Sequence, residues 1–269
     1  MLPVLFRIGP IEIPAYGFML AIGILLGWFY VIRQFPDEKN KEVIGNLLIY
    51  SVFAGLLCSR LNYIIEHWDE VRSWKDFFGM LISRSGLTVY GGVIGGIVTA
   101  YIYSRKQNLP ALRVLDAGAP GICIGYFFGR AGCQLAGDGD YGTPSNLPWA
   151  MAYPRGTVPV FEPVHPTPVY EMILYALIFL VLVQYKKRQP RPGKVFFLFL
   201  IFAGMARFAI EFIRLNPPVA FGLTEAQIVS LILVITGAIG FMKLPQTTRT
   251  QSGLRAQPKE DHRVRETRS

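Results

Sequence analysis

The chain has 269 residues, 52% of them hydrophobic, and a formal net charge of +9. The apolar residues are concentrated in blocks of about 20, the length at which a helix crosses a bilayer core of roughly 30 Å. Three cysteines and three histidines lie scattered along the sequence and are too few for a disulfide framework or a zinc site. The composition therefore favours a membrane protein over a soluble domain, and it indicates neither a metal nor another cofactor.

The first apolar block is interpreted as a retained helix, because no small-residue cleavage site of a secretory signal follows it. Seven segments are predicted to be membrane helices: 14–33, 43–63, 86–103, 112–133, 167–185, 195–213 and 223–242. Asp116, Pro120 and several glycines interrupt the fourth, so we expect other helices to enclose it. The predicted fold class is an all-α polytopic membrane protein.

The basic residues indicate the orientation of these helices. With the N-terminus outside, eighteen lysines and arginines fall on the inner side and six on the outer side. This bias matches the positive-inside tendency and predicts a C-terminus inside. The positive charge is thereby explained as a topology signal, and nucleic-acid binding is not expected.

Residues 1–243 are predicted to form one seven-helix domain, followed by a basic, disordered cytoplasmic tail at 244–269. Two long segments fall on the outer side. The segment 64–85 includes an amphipathic stretch suited to the headgroup layer, and 134–166 is expected to form an ordered cap. No internal repeat is visible, which argues against a transporter built from inverted halves.

Polar residues within or next to the predicted spans converge on one level near the outer interface. They are Tyr16, Arg60, Asn62, Tyr90, Arg130, Tyr170, Glu171, Arg207, Glu211, Arg214 and Gln227. The spacing of Arg207, Glu211 and Arg214 places them on one helix face, where the carboxylate holds both arginines. Since arginine suits bidentate phosphate recognition, an anionic headgroup is the expected ligand. The simpler alternatives are membrane anchoring by helix-end arginines and an interfacial belt of tyrosines.

Two glycine motifs allow more than one interpretation. Gly91-Gly92 and Gly95-Gly96 have the spacing of closely packed helices, although they could also form a narrow opening for a lipid chain. The stretch 137–142 (Gly-Asp-Gly-Asp-Tyr-Gly) lacks the ligands of a calcium loop and is expected to be a tight polar turn at the mouth of the site.

Several short motifs resemble, in order and spacing, the prolipoprotein diacylglyceryl transferase family over residues 10–243. They are Tyr16-Gly17, 86–92 (Gly-Leu-Thr-Val-Tyr-Gly-Gly), 129–132 (Gly-Arg-Ala-Gly), Tyr141-Gly142, His165-Pro166-Thr167, Tyr170-Glu171, Arg207-Phe208, Glu211-Phe212, Arg214, and Leu223-Thr224 with Gln227. The resemblance implies a multi-pass enzyme of the bacterial cytoplasmic (inner) membrane, with its active site toward the outer half. It implies transfer of a diacylglyceryl group from phosphatidylglycerol to the lipobox cysteine of a prolipoprotein, with release of glycerol phosphate.

The same resemblance assigns roles to individual residues. Arg130 matches the family's signature arginine and Arg207 its second essential arginine. The expected catalytic residues are Arg130, Arg207, Tyr90 and Glu211; the expected substrate-binding residues are Arg130, Tyr16, Gly142, Arg214, Glu171, Gly91 and Gly92. The base that deprotonates the thiol stays open among Glu171, Asp138 and Glu211.

Two positions depart from the family pattern: many members have His at the position of Tyr90 and Asn at that of Cys133. A tyrosine, with a pKa of about 10 when unperturbed, is a poor base near neutral pH. The departures keep one alternative open, a paralogous phosphatidylglycerol-using transferase with another acceptor. A small lipid transporter is a second alternative, since seven helices with a polar layer could also form one. Whether Cys58 and Cys133 pair is also left open.

Overall fold

The computed structural model describes residues 1–9, 11–35, 37–82 and 88–244. Within these ranges lie eight α-helices: α1 Ala15–Ile32, α2 Glu38–Glu66, α3 Trp74–Ile82, α4 Val89–Lys106, α5 Ala111–Ala136, α6 Thr167–Lys186, α7 Lys194–Glu211 and α8 Glu225–Lys243. Each of the seven predicted spans coincides with a long helix, and α3 falls in the predicted amphipathic stretch. The predicted tail lies outside the described residues, apart from Leu244.

Five helices of the described part, α1, α2, α5, α6 and α8, are long and apolar enough to cross a membrane by length and composition. Their exposed side chains include large hydrophobic residues such as Phe53, Leu180 and Ile232. The helix α7 is also long and apolar, but its three charged residues, Lys194, Arg207 and Glu211, keep it out of this set. The chain is thus a mostly helical protein with membrane-spanning character.

Three two-stranded antiparallel sheets occur in the described ranges, and the all-α prediction did not include them. They are β1 Val4–Ile8 with β2 Ile11–Pro14, β3 Met151–Tyr153 with β4 Val160–Val164, and β5 Pro218–Ala220 with β6 Leu223–Thr224. The segment between α5 and α6 has a small core of its own, formed by Tyr141, Tyr153 and Val164. These sheets are too short to give a clear period-two pattern in sequence, which is why they were missed.

The helix α8 begins two residues later than predicted, because Leu223 and Thr224 pair with β5. A capping box marks its start: Thr224 Oγ1 accepts from the backbone N–H of Gln227, and Gln227 Oε1 accepts from the backbone N–H of Thr224. This reciprocal bonding satisfies two backbone donors at the helix N-terminus. Gln227, predicted to belong to the polar layer, is therefore used as a helix cap.

Glycines bring the helices together in pairs: α1 with α5, α2 with α4, and α7 with α8. A Cβ added at Gly27 would lie 2.9 Å from the carbonyl oxygen of Gly121, and one added at Gly91 would overlap the carbonyl of Cys58. In membranes, small residues at such contacts allow the close backbone approach that drives helix association. The packing interpretation of the glycines in α4 is thereby confirmed.

The helix α5 lies inside the bundle, in contact with α1, α6 and α7. Its residues Asp116, Pro120 and Cys123 are buried, which confirms that other helices enclose it. The Asp116 carboxylate accepts hydrogen bonds from the backbone N–H groups of Gly193 at 2.6 Å and Phe196 at 2.8 Å. Because Gly193 has no side chain to cap α7, Asp116 supplies the cap from a neighbouring helix.

The glycine contacts can be tested with Gly27→Ala, whose new methyl group would press on the Gly121 carbonyl. We expect the free energy of unfolding to fall by about 1–3 kcal/mol, as in other overpacked sites. The measurement is the thermal unfolding midpoint of the protein in detergent. Gly118→Ala on α5 is the matched control, because no atom lies within 4 Å of its added Cβ. Equal midpoints for the two variants would contradict the packing role of Gly27.

Candidate functional site

The functional candidates meet where α5 and α7 end and α6 begins. Arg130 lies in the last two turns of α5, and Gly137 ends that helix in the left-handed conformation at φ +61°. Glu171 lies in the first turns of α6, which runs opposite to its neighbours, while Arg207 and Glu211 lie near the end of α7. Residues far apart in sequence are therefore brought to one end of the helix bundle.

Ion pairs connect these helices. Nε of Arg130 lies 2.8 Å from Oε2 of Glu171, whose Oε1 lies 3.6 Å from Nη1 of Arg207. Nη2 of Arg207 lies 2.8 Å from Oε2 of Glu211, four residues along α7. Glu171 thus links the arginine of α5 to the arginine of α7.

Arg214 and Asp140 close this chain of contacts into a ring. Nε of Arg214 lies 4.0 Å from Oε2 of Glu211, and Nη2 of Arg214 contacts Oδ1 of Asp140. The other oxygen of Asp140 contacts Nη1 of Arg130. We call the six alternating side chains the charge ring: Arg130, Glu171, Arg207, Glu211, Arg214 and Asp140.

The charge ring is buried to different depths around its circumference. The side chains of Glu211 and Glu171 are 0% and 2% exposed, that of Arg214 is 10% exposed, and that of Asp140 is 30% exposed. Burying an unpaired charge costs several kcal/mol. The alternation of three guanidinium groups with three carboxylates keeps every buried charge beside an opposite one.

Tyr126 supports one side of the ring. Its hydroxyl donates to Oε1 of Glu171 at 2.9 Å and accepts from Nη2 of Arg130 at 2.9 Å. Its aromatic ring stacks on that of Tyr175 with a centroid distance of 3.8 Å. Tyr126 was not among the residues predicted from the sequence, although its position four residues before Arg130 on the same helix face was a signal.

Two neutral residues support the other side. Oε1 of Glu211 accepts from Nδ2 of Asn216 at 2.7 Å and from Oγ1 of Thr224 at 2.8 Å. Its Oε2 is then left to the two arginines of the ring. The predicted arrangement, in which one carboxylate holds Arg207 and Arg214, is confirmed by these contacts.

Several arginine donors of the ring have no hydrogen-bond acceptor among the described residues. They are Nη1 of Arg207 and both Nε and Nη1 of Arg214. The 3.6 Å separation between Nη1 of Arg207 and Glu171 is too long for a hydrogen bond. Buried donors of this kind are costly unless they are used, and they suit an anion with several oxygens.

Asp140 reaches the ring from the segment between α5 and α6, which is anchored by its backbone. The carbonyl of Asp140 accepts from the hydroxyl of Thr167, and the N–H of Gly142 donates to the carbonyl of His165 at 2.9 Å. Burial by itself raises the pKa of the Asp140 carboxyl, but Arg130 and Arg214 outweigh that effect and hold the pKa below its usual value. Asp140 is therefore an anion at neutral pH.

Comparison with known proteins identifies the family. The model of the family described as prolipoprotein diacylglyceryl transferase matches residues 3–243. The chain belongs to this family. It is 33% identical over 240 residues to a protein from Finegoldia magna, covering 88% of this chain and 93% of that protein. It is 34% identical over 237 residues to one from Dehalococcoides mccartyi, covering 86% and 89%. Both relatives are named phosphatidylglycerol--prolipoprotein diacylglyceryl transferase.

Of the residues predicted for a diacylglyceryl transferase site, five lie in the charge ring: Arg130, Glu171, Arg207, Glu211 and Arg214. The ring also contains Asp140, which was predicted only to lie in a polar turn. Its position in a glycine-rich loop soon after the signature arginine was the available signal. The loop does lie at the ring, as expected of a turn at the mouth of the site.

Four other predicted site residues are not members of the ring. Gly91 and Gly92 contact α2, so their described contacts are those of helix packing. Tyr16 lies at the start of α1, where a Cβ added at Gly132 would come within 3.0 Å of its Cα. The side chain of Tyr90 lies outside the described part of the structure. The substrate roles of these four residues stay predictions.

Two further members of the predicted polar layer have partners elsewhere. Nδ2 of Asn62 donates to Glu66 at 2.6 Å. The hydroxyl of Tyr170 accepts from Nε1 of Trp149 at 2.8 Å and lies 3.2 Å from Nδ1 of His165. Tyr170, Trp149 and His165 line an apolar groove of about 580 Å³, which extends to Ile213, the neighbour of Arg214 in sequence.

The cysteines do not form the Cys58–Cys133 pair that the sequence left open, since both are free thiols. Sγ of Cys133 lies 4.0 Å from Nη1 of Arg130, so this departure from the family pattern faces the ring. Cys133, Asp138 and Asp140 place possible ligand atoms within 4.8 Å of one another. Because two arginines already engage Asp140, this cluster is a poor cation site.

Gly142, whose substrate role stays a prediction, is closely packed in the structure. A Cβ at this position would lie 2.6 Å from the carbonyl oxygen of Ile213 and 2.8 Å from Cβ of His165. We therefore expect Gly142→Ala to displace the segment that carries Asp140 and to lower the free energy of unfolding by about 1–3 kcal/mol.

Limited proteolysis within residues 137–166 and the thermal midpoint measure this effect. Asn146→Ala, at an exposed position of the same segment, is the control. A Gly142→Ala protein as resistant and as stable as this control would refute the packing role.

Proposed function

We propose that this protein transfers the diacylglyceryl group of phosphatidylglycerol to the lipobox cysteine of prolipoproteins, the first step of lipoprotein maturation. The observation that carries the proposal is the charge ring, whose buried arginine donors suit the phosphate of an anionic headgroup. The names of relatives that are 29–34% identical over most of the chain support the same reaction.

In this reaction the cysteine sulfur attacks the carbon of the diacylglycerol unit that is bonded to the phosphate oxygen, and a carbon–sulfur bond forms. The carbon–oxygen bond breaks, its electron pair goes to the phosphate oxygen, and glycerol phosphate leaves as an anion. Guanidinium groups aimed at that oxygen stabilise the charge as it develops, and such electrostatic stabilisation accounts for much of the rate enhancement of many enzymes. Arg130 and Arg207 would bind the phosphate, and Arg214 would provide a further donor to it. Glu211 would orient Arg207 and Arg214, which both pair with its carboxylate.

The thiol must lose its proton to become the nucleophile. In both Glu171 and Glu211, Oε1 accepts hydrogen bonds and Oε2 forms an ion pair with an arginine 2.8 Å away. Among the three carboxylates that the sequence suggested as bases, Asp138 is the one outside the ring. We therefore favour Asp138 as the acceptor of the thiol proton.

The remaining predicted residues would act on the lipid. Tyr16, which starts α1 against Gly132, and Tyr90 would hydrogen-bond to the headgroup. Gly91 and Gly92 hold the start of α4 against α2 and so position Tyr90 beside them. The apolar groove next to Arg214 would receive an apolar part of either substrate.

The proposed topology has seven membrane helices, all the α-helices except α3, with the N-terminus outside and the C-terminus inside the bacterial inner membrane. The excess of eighteen over six basic residues supports it. In that orientation the charge ring lies in the outer half. The helix α3, whose Trp74 and Ile82 are 78% and 80% exposed, would lie in the headgroup layer.

The reaction is tested with purified protein, phosphatidylglycerol and a lipobox peptide, scored by a mass gain of one diacylglyceryl group. A peptide with Ser in place of its Cys is the negative control. Arg130→Ala is expected to abolish transfer. It removes a hydrogen-bond donor to the phosphate and breaks the ring's ion pairs with Glu171 and Asp140. Arg155→Ala, an exposed arginine between β3 and β4, should retain activity. Near-normal turnover by a folded Arg130→Ala protein would remove Arg130 from the mechanism.

The geometry of Arg207 is tested with Arg207→Lys, which keeps the charge. Arg207 faces Glu171 and Glu211 through two different nitrogens, and a lysine has only one. We expect kcat/KM to fall by about 100-fold, the loss seen when one transition-state donor is removed. Retained activity would show that charge alone suffices at this position.

A further inference from the structure

The charge ring as it stands has no net charge, which raises the question of how it binds an anion. The positive charges of its three guanidinium groups are balanced by the negative charges of Asp140, Glu171 and Glu211. A phosphate added to the complete ring would meet three carboxylates as well as three arginines. One carboxylate must therefore move away for the phosphate to contact the arginines closely.

Glu171 and Glu211 are poorly suited to move. Their side chains are 2% and 0% exposed, and each starts from a helix. Tyr126 binds the first, and Asn216 with Thr224 binds the second, through hydrogen bonds of 2.7–2.9 Å. Moving either carboxylate would leave buried neutral partners without their bonds.

Asp140 differs on each of these points. Its side chain is 30% exposed and lies on a loop, and its carboxylate contacts Arg130 and Arg214. The backbone at Asp140 is anchored through Thr167, so a rotation of the side chain alone would release the arginines. Rotamer changes of side chains that reach solvent are fast, and the phosphate would replace the two ion pairs that this rotation breaks.

The position of the Asp140 carboxylate is also that of a bridging anion. One of its oxygens contacts Nη1 of Arg130 and the other contacts Nη2 of Arg214. Two oxygens of a phosphate could make the same two contacts. A third phosphate oxygen could then reach the donors Nη1 of Arg207 and Nη1 of Arg214, which have no hydrogen-bond acceptor among the described residues.

We propose that the Asp140 carboxylate holds the place of the headgroup phosphate in the lipid-free enzyme and is displaced when the lipid binds. The identity of the lipid rests on the proposed function. The displacement of Asp140 would occur with any phosphate group that binds the arginines. Asp140 keeps Arg130 and Arg214 ordered and charge-paired between turnovers. It also selects for anionic ligands, because only a negatively charged group can replace it.

The test compares the binding of inorganic phosphate, by isothermal titration, to the full chain in detergent and to Asp140→Asn. The variant removes the competing charge and is expected to bind phosphate roughly tenfold more tightly, the effect of one partly screened ion pair. Glu162→Gln, which removes a charge from an exposed position in β4, should bind like the unmodified protein. Equal or weaker binding by Asp140→Asn would overturn the proposal.

Two further variants separate charge from shape and guard against misfolding. Asp140→Glu keeps the competing charge and should bind phosphate no more tightly than the unmodified protein; tightening equal to that of Asp140→Asn would overturn the proposal. Asp140→Ser provides a second neutral side chain if the Asn variant does not fold. Phosphate binding needs no acceptor peptide, so failure of the transfer assay alone would refute the proposed reaction and leave this inference standing.

Discussion

The site depends on the pairing of buried guanidinium groups with carboxylates. Arginine remains charged in proteins, so placing Arg130, Arg207 and Arg214 together away from water requires opposite charges between them. Glu171, Glu211 and Asp140 provide these charges from three different parts of the chain. The relative positions of α5, α6, α7 and the segment after α5 are thereby tied to one another.

The two ends of the contact between α5 and α7 are fixed by different chemistry. At one end the Asp116 carboxylate of α5 caps the N-terminus of α7 through Gly193 and Phe196. At the other end Glu171 of α6 bridges Arg130 and Arg207. A helix held at both ends has little freedom to slide or rotate, which keeps the arginines within the small tolerance that catalysis demands.

The long helices and the main charged residues were predictable because their signals are local. Blocks of apolar residues gave the seven spans, and the spacing of Arg207, Glu211 and Arg214 gave one helix face. The partners of those residues were not local. Asp140 precedes Arg214 by 74 residues, and Thr224 reaches Glu211 through a hairpin, β5–β6, that sequence periodicity did not reveal.

Family motifs, taken by themselves, do not separate residues that contact a ligand from residues that pack the fold. Gly91, Gly92 and Gly142 occur in motifs with proposed substrate roles, yet their described contacts are close approaches of packed segments, such as those of Gly91 to Cys58 and of Gly142 to Ile213. A glycine selected for packing and one selected for ligand contact look the same in a sequence, since both need the absence of a side chain. The structure shows the packing role by what a Cβ would touch, and the substrate roles stay predictions.

The sequence by itself determined the class of protein, its helices and the family to which it belongs, because composition, period and motif spacing are properties of short stretches. The tertiary structure decided that three arginines and three carboxylates form one closed ring, and that Asp140 is its most exposed member. That arrangement arises from helix ends and a loop brought together by packing. Local sequence patterns carry no information on the distances between such segments.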